Sequence, residues 1–174
     1  MPPTSSAVES AVARSLNKLL DGDGDRKLLV NDANERSISH RLAMYLEQEV
    51  EAFEMDYDVD VEYNRVTKEN GATVDSKKRV RYDKLPDECQ GRKIEVDDTN
   101  AQTVFPDIVV HKRGSSDHNL LVIEIKKTSS SDSGKCDKEK IKRFRADIGY
   151  ENGLFLRLKV GDDPDIDDCD WFTE

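Results

Sequence analysis

The sequence has few of the features that mark membrane, secreted or zinc-binding proteins. No apolar run approaches the length of about 18 residues that a membrane span needs. Residues 1–6 lack the basic and apolar regions of a signal peptide. The three cysteines are odd in number and widely spaced, and with the three histidines they complete no zinc pattern. These absences predict a cytoplasmic protein with reduced cysteines and no membrane partner.

Basic residues are outnumbered by acidic ones, and the acidic excess is concentrated at the C-terminus. The formal net charge of the 174-residue chain is −10. Residues 161–174 contain six Asp and one Glu without any Lys or Arg, so they carry −7 and the rest carries only −3. A chain of this length fits one domain. We expect that domain to span residues 1–160, followed by a mobile acidic tail at 161–174 that Trp171 and Phe172 could dock against the body.

Positive charge is concentrated in two segments. Residues 126–145 contain eight basic residues against three acidic ones, and residues 77–81 form a second basic cluster. Binding to a nucleic-acid backbone needs local positive charge, not a basic protein. Both segments could therefore follow phosphates, although lysine-rich loops are also common as solvated surface. Aromatic residues make up only 6% of the chain and form no row on which bases could stack.

Two apolar runs carry acidic residues inside them. Residues 105–110 and 120–127 are rich in β-branched and aliphatic side chains, which predicts buried strands. Asp107 lies in the first run, and Glu124 and Lys126 lie on one face of the second because alternate strand residues share a face. A buried carboxylate is costly unless it is paired. If the strands are neighbours, the two acids and the ammonium group would form a site for a hard divalent cation and a phosphate.

An acidic helix precedes these strands. Asn31 and Asp32 are candidate N-caps for a helix that extends to about residue 53. Ile38 and Leu42 belong to its apolar stripe, and Glu35 lies on the same stripe. Glu35 therefore faces the interior in this interpretation. The alternative is that Glu35 is simply an acid favoured in the first helical turn by the helix dipole.

The combination of Pro106-Asp107 with Glu124-Ile125-Lys126 resembles the motif of the PD-(D/E)XK nuclease superfamily, which has the restriction-endonuclease-like fold. The resemblance implies an α/β fold whose αβββαβ core has a mixed central sheet flanked by helices. It covers residues 31–160, and the N-terminal helix and loop at 1–30 and the acidic tail at 161–174 lie outside it.

The remaining core elements follow from the apolar pattern. They are a strand at 57–65, a basic helix at 137–148 and a last strand at 153–158. Residues 66–103 are polar and irregular, which predicts either a long insertion or two short strands.

The function that the resemblance implies is metal-dependent hydrolysis of phosphodiester bonds. Asp107, Glu124, the backbone carbonyl of Ile125, and Glu35 would hold Mg²⁺ or Mn²⁺. Lys126 would orient or deprotonate the attacking water and stabilise the charge that grows on the phosphate. The implied catalytic residues are thus Asp107, Glu124, Lys126 and Glu35.

The expected partner is nucleic acid, with DNA as the favoured substrate. Charge and helical position suggest phosphate contacts by Lys127, Lys140, Lys142 and Arg143. A homodimer is an open alternative to a monomer. Two other functions remain open: a binding module that keeps the fold without catalysis, and a protein-interaction domain whose acidic surface matters more than any site.

Overall fold

The described part of the chain forms helices on both sides of a central sheet. The computed structural model describes residues 1–21, 24–63, 65–67, 73–77, 79–81, 84–90, 101–103, 105–115 and 117–173. The helices are α1 (Ser5–Asp21), α2 (Arg26–Val30), α3 (Glu35–Val50) and α4 (Lys135–Arg143), which continues into a π-helical turn (Phe144–Ile148). No described helix is both long enough and apolar enough to pass through a lipid bilayer.

Nine strands are described, and five of them form the main sheet. They are β1 (Asp58–Val61), β2 (Arg65–Thr67), β3 (Thr73–Lys77), β4 (Arg79–Arg81), β5 (Ala101–Thr103), β6 (Ile108–His111), β7 (Asn119–Lys127), β8 (Asn152–Lys159) and β9 (Asp165–Phe172). The main sheet has the order β1-β6-β7-β8-β9. Its neighbours are antiparallel except for β7 and β8, which are parallel and joined through α4. The expected α/β fold with a mixed sheet between helices is therefore confirmed.

The sheet separates two apolar layers. On one face, Ile123 and Ile125 of β7 pack with the buried residues of α1, α2 and α3. On the other face, Val122 packs with Ile141 of α4 and Phe144 of the π-helical turn. This division follows from the alternation of side chains along a strand. It leaves Glu124, which shares a face with Val122, beneath α4.

The start of α3 differs from the sequence prediction. Asn34 is the N-cap, and its side-chain oxygen accepts a hydrogen bond from the Ser37 N–H at 2.8 Å. The prediction of Asn31 or Asp32 as the cap was therefore wrong. Asp32 instead has a φ of +50° in the connection that follows α2. Glu35 is the first residue of the helix and not a residue inside it.

The segment that precedes β6 holds small ladders of its own. β2 pairs with β3, and β4 pairs with β5, both antiparallel. The segment at 66–103 is thus an insertion that carries short strands, although residues 68–72, 78, 82–83 and 91–100 lie outside the described residues. β6 begins only at Ile108, and Phe105 at the start of the predicted strand is exposed.

The acidic C-terminal segment is part of the sheet. β9 pairs with β8 over seven register positions, with Trp171 opposite Leu154. Lys138 of α4 donates hydrogen bonds to Asp168 and Asp170. The expectation of a mobile tail was wrong because strand pairing, apolar contacts of Trp171 and Phe172, and ion pairs hold this segment.

Two of the three cysteines are joined. A disulfide links Cys89, in a short 3₁₀ helix at Asp87–Cys89, to Cys136 in the first turn of α4, and Cys169 is free. The expectation of reduced cysteines was therefore wrong for Cys89 and Cys136. The fold brings them together across 47 residues of sequence, a distance at which spacing alone reveals no pairing.

Candidate active site

Asp107 and Glu124 are brought together by the pairing of β6 with β7. Ile108 lies opposite Ile123 in the antiparallel register, so Asp107, one residue earlier, reaches the level of Glu124. The Asp107 Oδ2 atom accepts a hydrogen bond from the Ile125 N–H at 2.7 Å. This bond fixes the carboxylate beside the second half of β7.

Both carboxyl groups are held in an environment that opposes their ionisation. Glu124 is only 5% exposed, and burial together with Asp107 raises its pKa well above the usual value. Burial also raises the pKa of Asp107 to about 6, although the hydrogen bond from Ile125 and the charge of Lys126 act in the opposite direction. Burial is the main cause in both cases because it disfavours the charged form, and neighbouring carboxylates add to it. Such perturbed groups are enriched at functional sites.

The structure adds a further carboxylate to the site, which sequence analysis missed. Asp137 of α4 is 3% exposed, and its Oδ1 atom accepts a hydrogen bond from Lys140 Nζ at 3.0 Å. Its Oδ2 atom lies 3.3 Å from Lys126 Nζ but accepts no hydrogen bond of good geometry among the described residues. Asp137 shares the apolar stripe of α4 with Ile141, four residues later. The reasoning applied to Glu35 would therefore have found it.

Lys126 and Lys140 supply the positive charge of the site. Burial alone would lower the pKa of Lys126, but Asp137, Glu35 and Asp107 raise it above its usual value. Lys140 behaves in the same way, with Glu124 and Asp137 as the groups that raise its pKa. Both lysines are therefore held in the charged state, and neither is set up to act as a neutral base.

Glu35 lies at the edge of the same cluster. Its Oε1 atom accepts a hydrogen bond from the Lys127 N–H at 3.3 Å, and its Oε2 atom is 3.9 Å from Lys126 Nζ. Its charge also raises the pKa of Asp107. The four residues predicted to be catalytic are thus neighbours, and Glu35 reaches β7 from the start of α3.

The oxygen groups of the site are not arranged as a closed metal cage. Within the described residues, no three Asp, Glu, His or Cys side chains are close enough to surround a metal ion. Ile125 places its side chain in the core, and its N–H group is used by Asp107.

The four residues predicted to contact phosphates are in different environments. Lys127 Nζ donates hydrogen bonds to Asp32 Oδ1 and the Ala33 carbonyl, both at 2.8 Å, so it holds the start of α3 against β7. Lys140 is part of the buried cluster, through its bond to Asp137. These two ammonium groups are already used inside the protein.

The other two lie further along α4. Lys142 is paired with Glu139 at 2.6 Å, and Arg143 lies 3.6 Å from Asp147. Lys142 is the more exposed of the two. In the basic cluster at 77–81, Lys78 lies outside the described residues.

Comparison of the chain with family models, with curated proteins and with solved structures gives no match.

Proposed function

We propose that this protein is a metal-dependent nuclease that hydrolyses phosphodiester bonds, with DNA as the expected substrate. The observation that carries the proposal is that Asp107, just before β6, lies beside Glu124 and Lys126 of the neighbouring β7, with both acids in an environment that raises their pKa. The element order α3, β1, β6, β7, α4, β8 also has the αβββαβ pattern that the sequence motif implies.

The donor set of the site suits a hard divalent cation. Glu35, Asp107, Glu124 and Asp137 outnumber the two lysines, and the Asp137 Oδ2 atom, 3.3 Å from Lys126 Nζ, is buried and accepts no hydrogen bond of good geometry from the described residues. Mg²⁺ commonly binds through one or two carboxylates and keeps several waters, so it does not require a closed cage. Asp107 and Glu124 would hold the ion, with the carbonyl of Ile125 as a further oxygen and Glu35 acting directly or through water.

With a metal ion bound, the residues of the site would have separate roles. Mg²⁺ or Mn²⁺ bound there would lower the pKa of a bound water and so increase the fraction of it that is hydroxide. Lys126, held in the charged state by three acids, would donate hydrogen bonds to the phosphate and stabilise the negative charge that develops on it. Asp137 would position Lys126 and Lys140 from the helix above the sheet.

The test is a cleavage assay on single-stranded, duplex and branched DNA and RNA, with Mg²⁺, with Mn²⁺ and with a chelator. We expect metal-dependent cutting by the wild type and a loss of at least about a hundredfold in Asp107→Asn and Lys126→Ala. Lys112→Ala is the matched control, because this exposed lysine follows β6 at the end of the strand remote from Asp107. Calorimetric titration with Mg²⁺ should show binding to the wild type that Asp107→Asn weakens.

The alternative of a binding module without catalysis makes a different prediction. Such a protein would bind nucleic acid but would cut none of the substrates in either metal. Folded wild type that binds Mg²⁺ and cuts nothing would therefore refute the nuclease proposal.

A further inference from the structure

A cleft opens beside Asp107 at the surface. It has a volume of about 390 Å³ and reaches the carboxylate cluster between the start of α3 and the end of β1. The lining residues are Asn34, Glu35, Arg36, Ser39, Val61, Glu62 and Asp107. Glu124 and Asp137 are buried, so this cleft gives a substrate access to Asp107 among the described residues.

Arg36 is the one cation among these lining residues. Its Nε and Nη2 atoms donate hydrogen bonds to Glu62 Oε1 at 3.0 and 2.8 Å, and its side chain is 76% exposed. It lies in the first turn of α3, where the helix dipole disfavours positive charge. Local helix energetics therefore do not explain an arginine at this position.

Glu62, the partner of Arg36, has an unusual backbone conformation. Its φ is +53°, in the left-handed region that non-glycine residues rarely adopt. Its N–H group is directed at the carbonyls of Pro106 and Asp107, at 3.1 and 3.3 Å. Glu62 is thus attached to the same backbone that carries Asp107, and it holds the guanidinium of Arg36 at the edge of the cleft.

We propose that Arg36 is a substrate-binding residue that contacts a phosphate of the nucleic acid, and that Glu62 is the partner it exchanges for that phosphate. A guanidinium group can bind two phosphate oxygens at once, which is a stronger arrangement than the present one, in which Nε and Nη2 share the single oxygen Oε1 of Glu62. An exposed ion pair contributes little to stability, so its exchange is inexpensive. This inference rests on the proposed nuclease function and assigns the first contact between the cleft and its substrate.

Substitutions of Arg36 and Glu62 should change the affinity for nucleic acid in opposite directions. In Arg36→Gln the phosphate contact is lost, so the Kd for a labelled oligonucleotide should rise about tenfold. In Glu62→Gln the guanidinium is released and a repelling carboxylate is removed, so the Kd should fall about threefold. Arg41→Gln is the control, because Arg41 lies on the same helix and pairs with Asp25 instead.

The measurement is fluorescence anisotropy in chelator, where the oligonucleotide is not cut, together with kcat/KM in Mg²⁺. Urea unfolding of each variant verifies that it is folded. Opposite shifts for Arg36→Gln and Glu62→Gln support the inference. A Kd for Arg36→Gln that matches the Arg41→Gln control overturns it, and so does weaker binding in Glu62→Gln or an absence of binding by the wild type.

These outcomes separate the inference from the proposed function. One outcome is that the wild type cuts while Asp107→Asn does not and Arg36→Gln has the kcat/KM and Kd of the control. In that case the nuclease proposal is supported and the role of Arg36 is refuted. If no substrate is cut but the affinities of Arg36→Gln and Glu62→Gln shift in opposite directions, catalysis is refuted and the phosphate contact of Arg36 is supported.

Discussion

Replacing Asp107 by asparagine should stabilise the protein at neutral pH, because the native carboxylate is held in an unfavourable place. Burial raises the pKa of Asp107 to about 6 from a usual value of 3.8. The native state therefore binds a proton more tightly than the unfolded chain does. The stabilisation from that proton is complete below the unfolded pKa and is lost as the pH rises through about 6.

The size of the effect follows from the shift. At about 1.4 kcal/mol for each pKa unit, the full change is about 3 kcal/mol, of which about 2 kcal/mol falls between pH 4 and pH 8. Asparagine keeps the size of the side chain and can still accept the hydrogen bond from Ile125, but it has no charge to desolvate. It also removes the negative charge that raises the pKa of Glu124, which acts in the same direction.

The assay is urea unfolding of wild type and Asp107→Asn at intervals from pH 4 to pH 8. The difference in free energy of unfolding between the variant and the wild type should increase in favour of the variant by about 2 kcal/mol from pH 4 to pH 8. Asp162→Asn is the control, since Asp162 is exposed and forms no ion pair with the described residues, and its curve should stay parallel to that of the wild type. Parallel curves for Asp107→Asn as well would refute the reasoning. Addition of Mg²⁺ at pH 8 should then stabilise the wild type more than the variant.

Three further changes test the packing. Gly134→Ala should lower the free energy of unfolding by about 3 kcal/mol, because the new Cβ would lie 2.2 Å from a ring carbon of Phe155 and the φ is +77°. Gly114→Ala should lower it by only about 1 kcal/mol, because the φ of +83° is unfavourable but nothing lies near the new Cβ. Cys89→Ser should lower the free energy of unfolding by about 4 kcal/mol, because it opens a loop of 47 residues. Cys169→Ser keeps the disulfide and should change the free energy of unfolding little. Deletion of residues 161–174 should lower the free energy of unfolding by about 3 kcal/mol or more, since β8 loses one of its two neighbouring strands; an unchanged midpoint would contradict the placement of β9.

The sequence predicted the elements whose burial is visible in local pattern. The apolar runs of β6, β7 and β8 and the apolar stripe of α3 were identified because their periodicity reports which side faces the core. Asp107 and Glu124 were found for the same reason, since a charge inside an apolar run is an anomaly that needs a partner. What these groups do chemically is still a prediction.

Predictions from the sequence were wrong or incomplete where contacts between distant segments determine the structure. β9 contains alternating aspartates and resembles a solvated tail, and only pairing with β8 and the ammonium of Lys138 make it a strand. Asp137 was counted among the charges of a basic helix, although its position relative to Ile141 carried the signal of burial. The disulfide joins two cysteines that only the folded backbone brings together.

The acidic edge strand also bears on how this protein behaves in concentrated solution. An edge strand presents unpaired backbone groups on which another chain can add a strand, and charged side chains along the edge discourage such growth. β9 carries four aspartates within Asp165–Phe172, so two copies that approach through this edge repel each other. High salt screens that repulsion. The solubility of the protein should therefore depend on ionic strength, and sheet extension through β9 should become easier as salt is added.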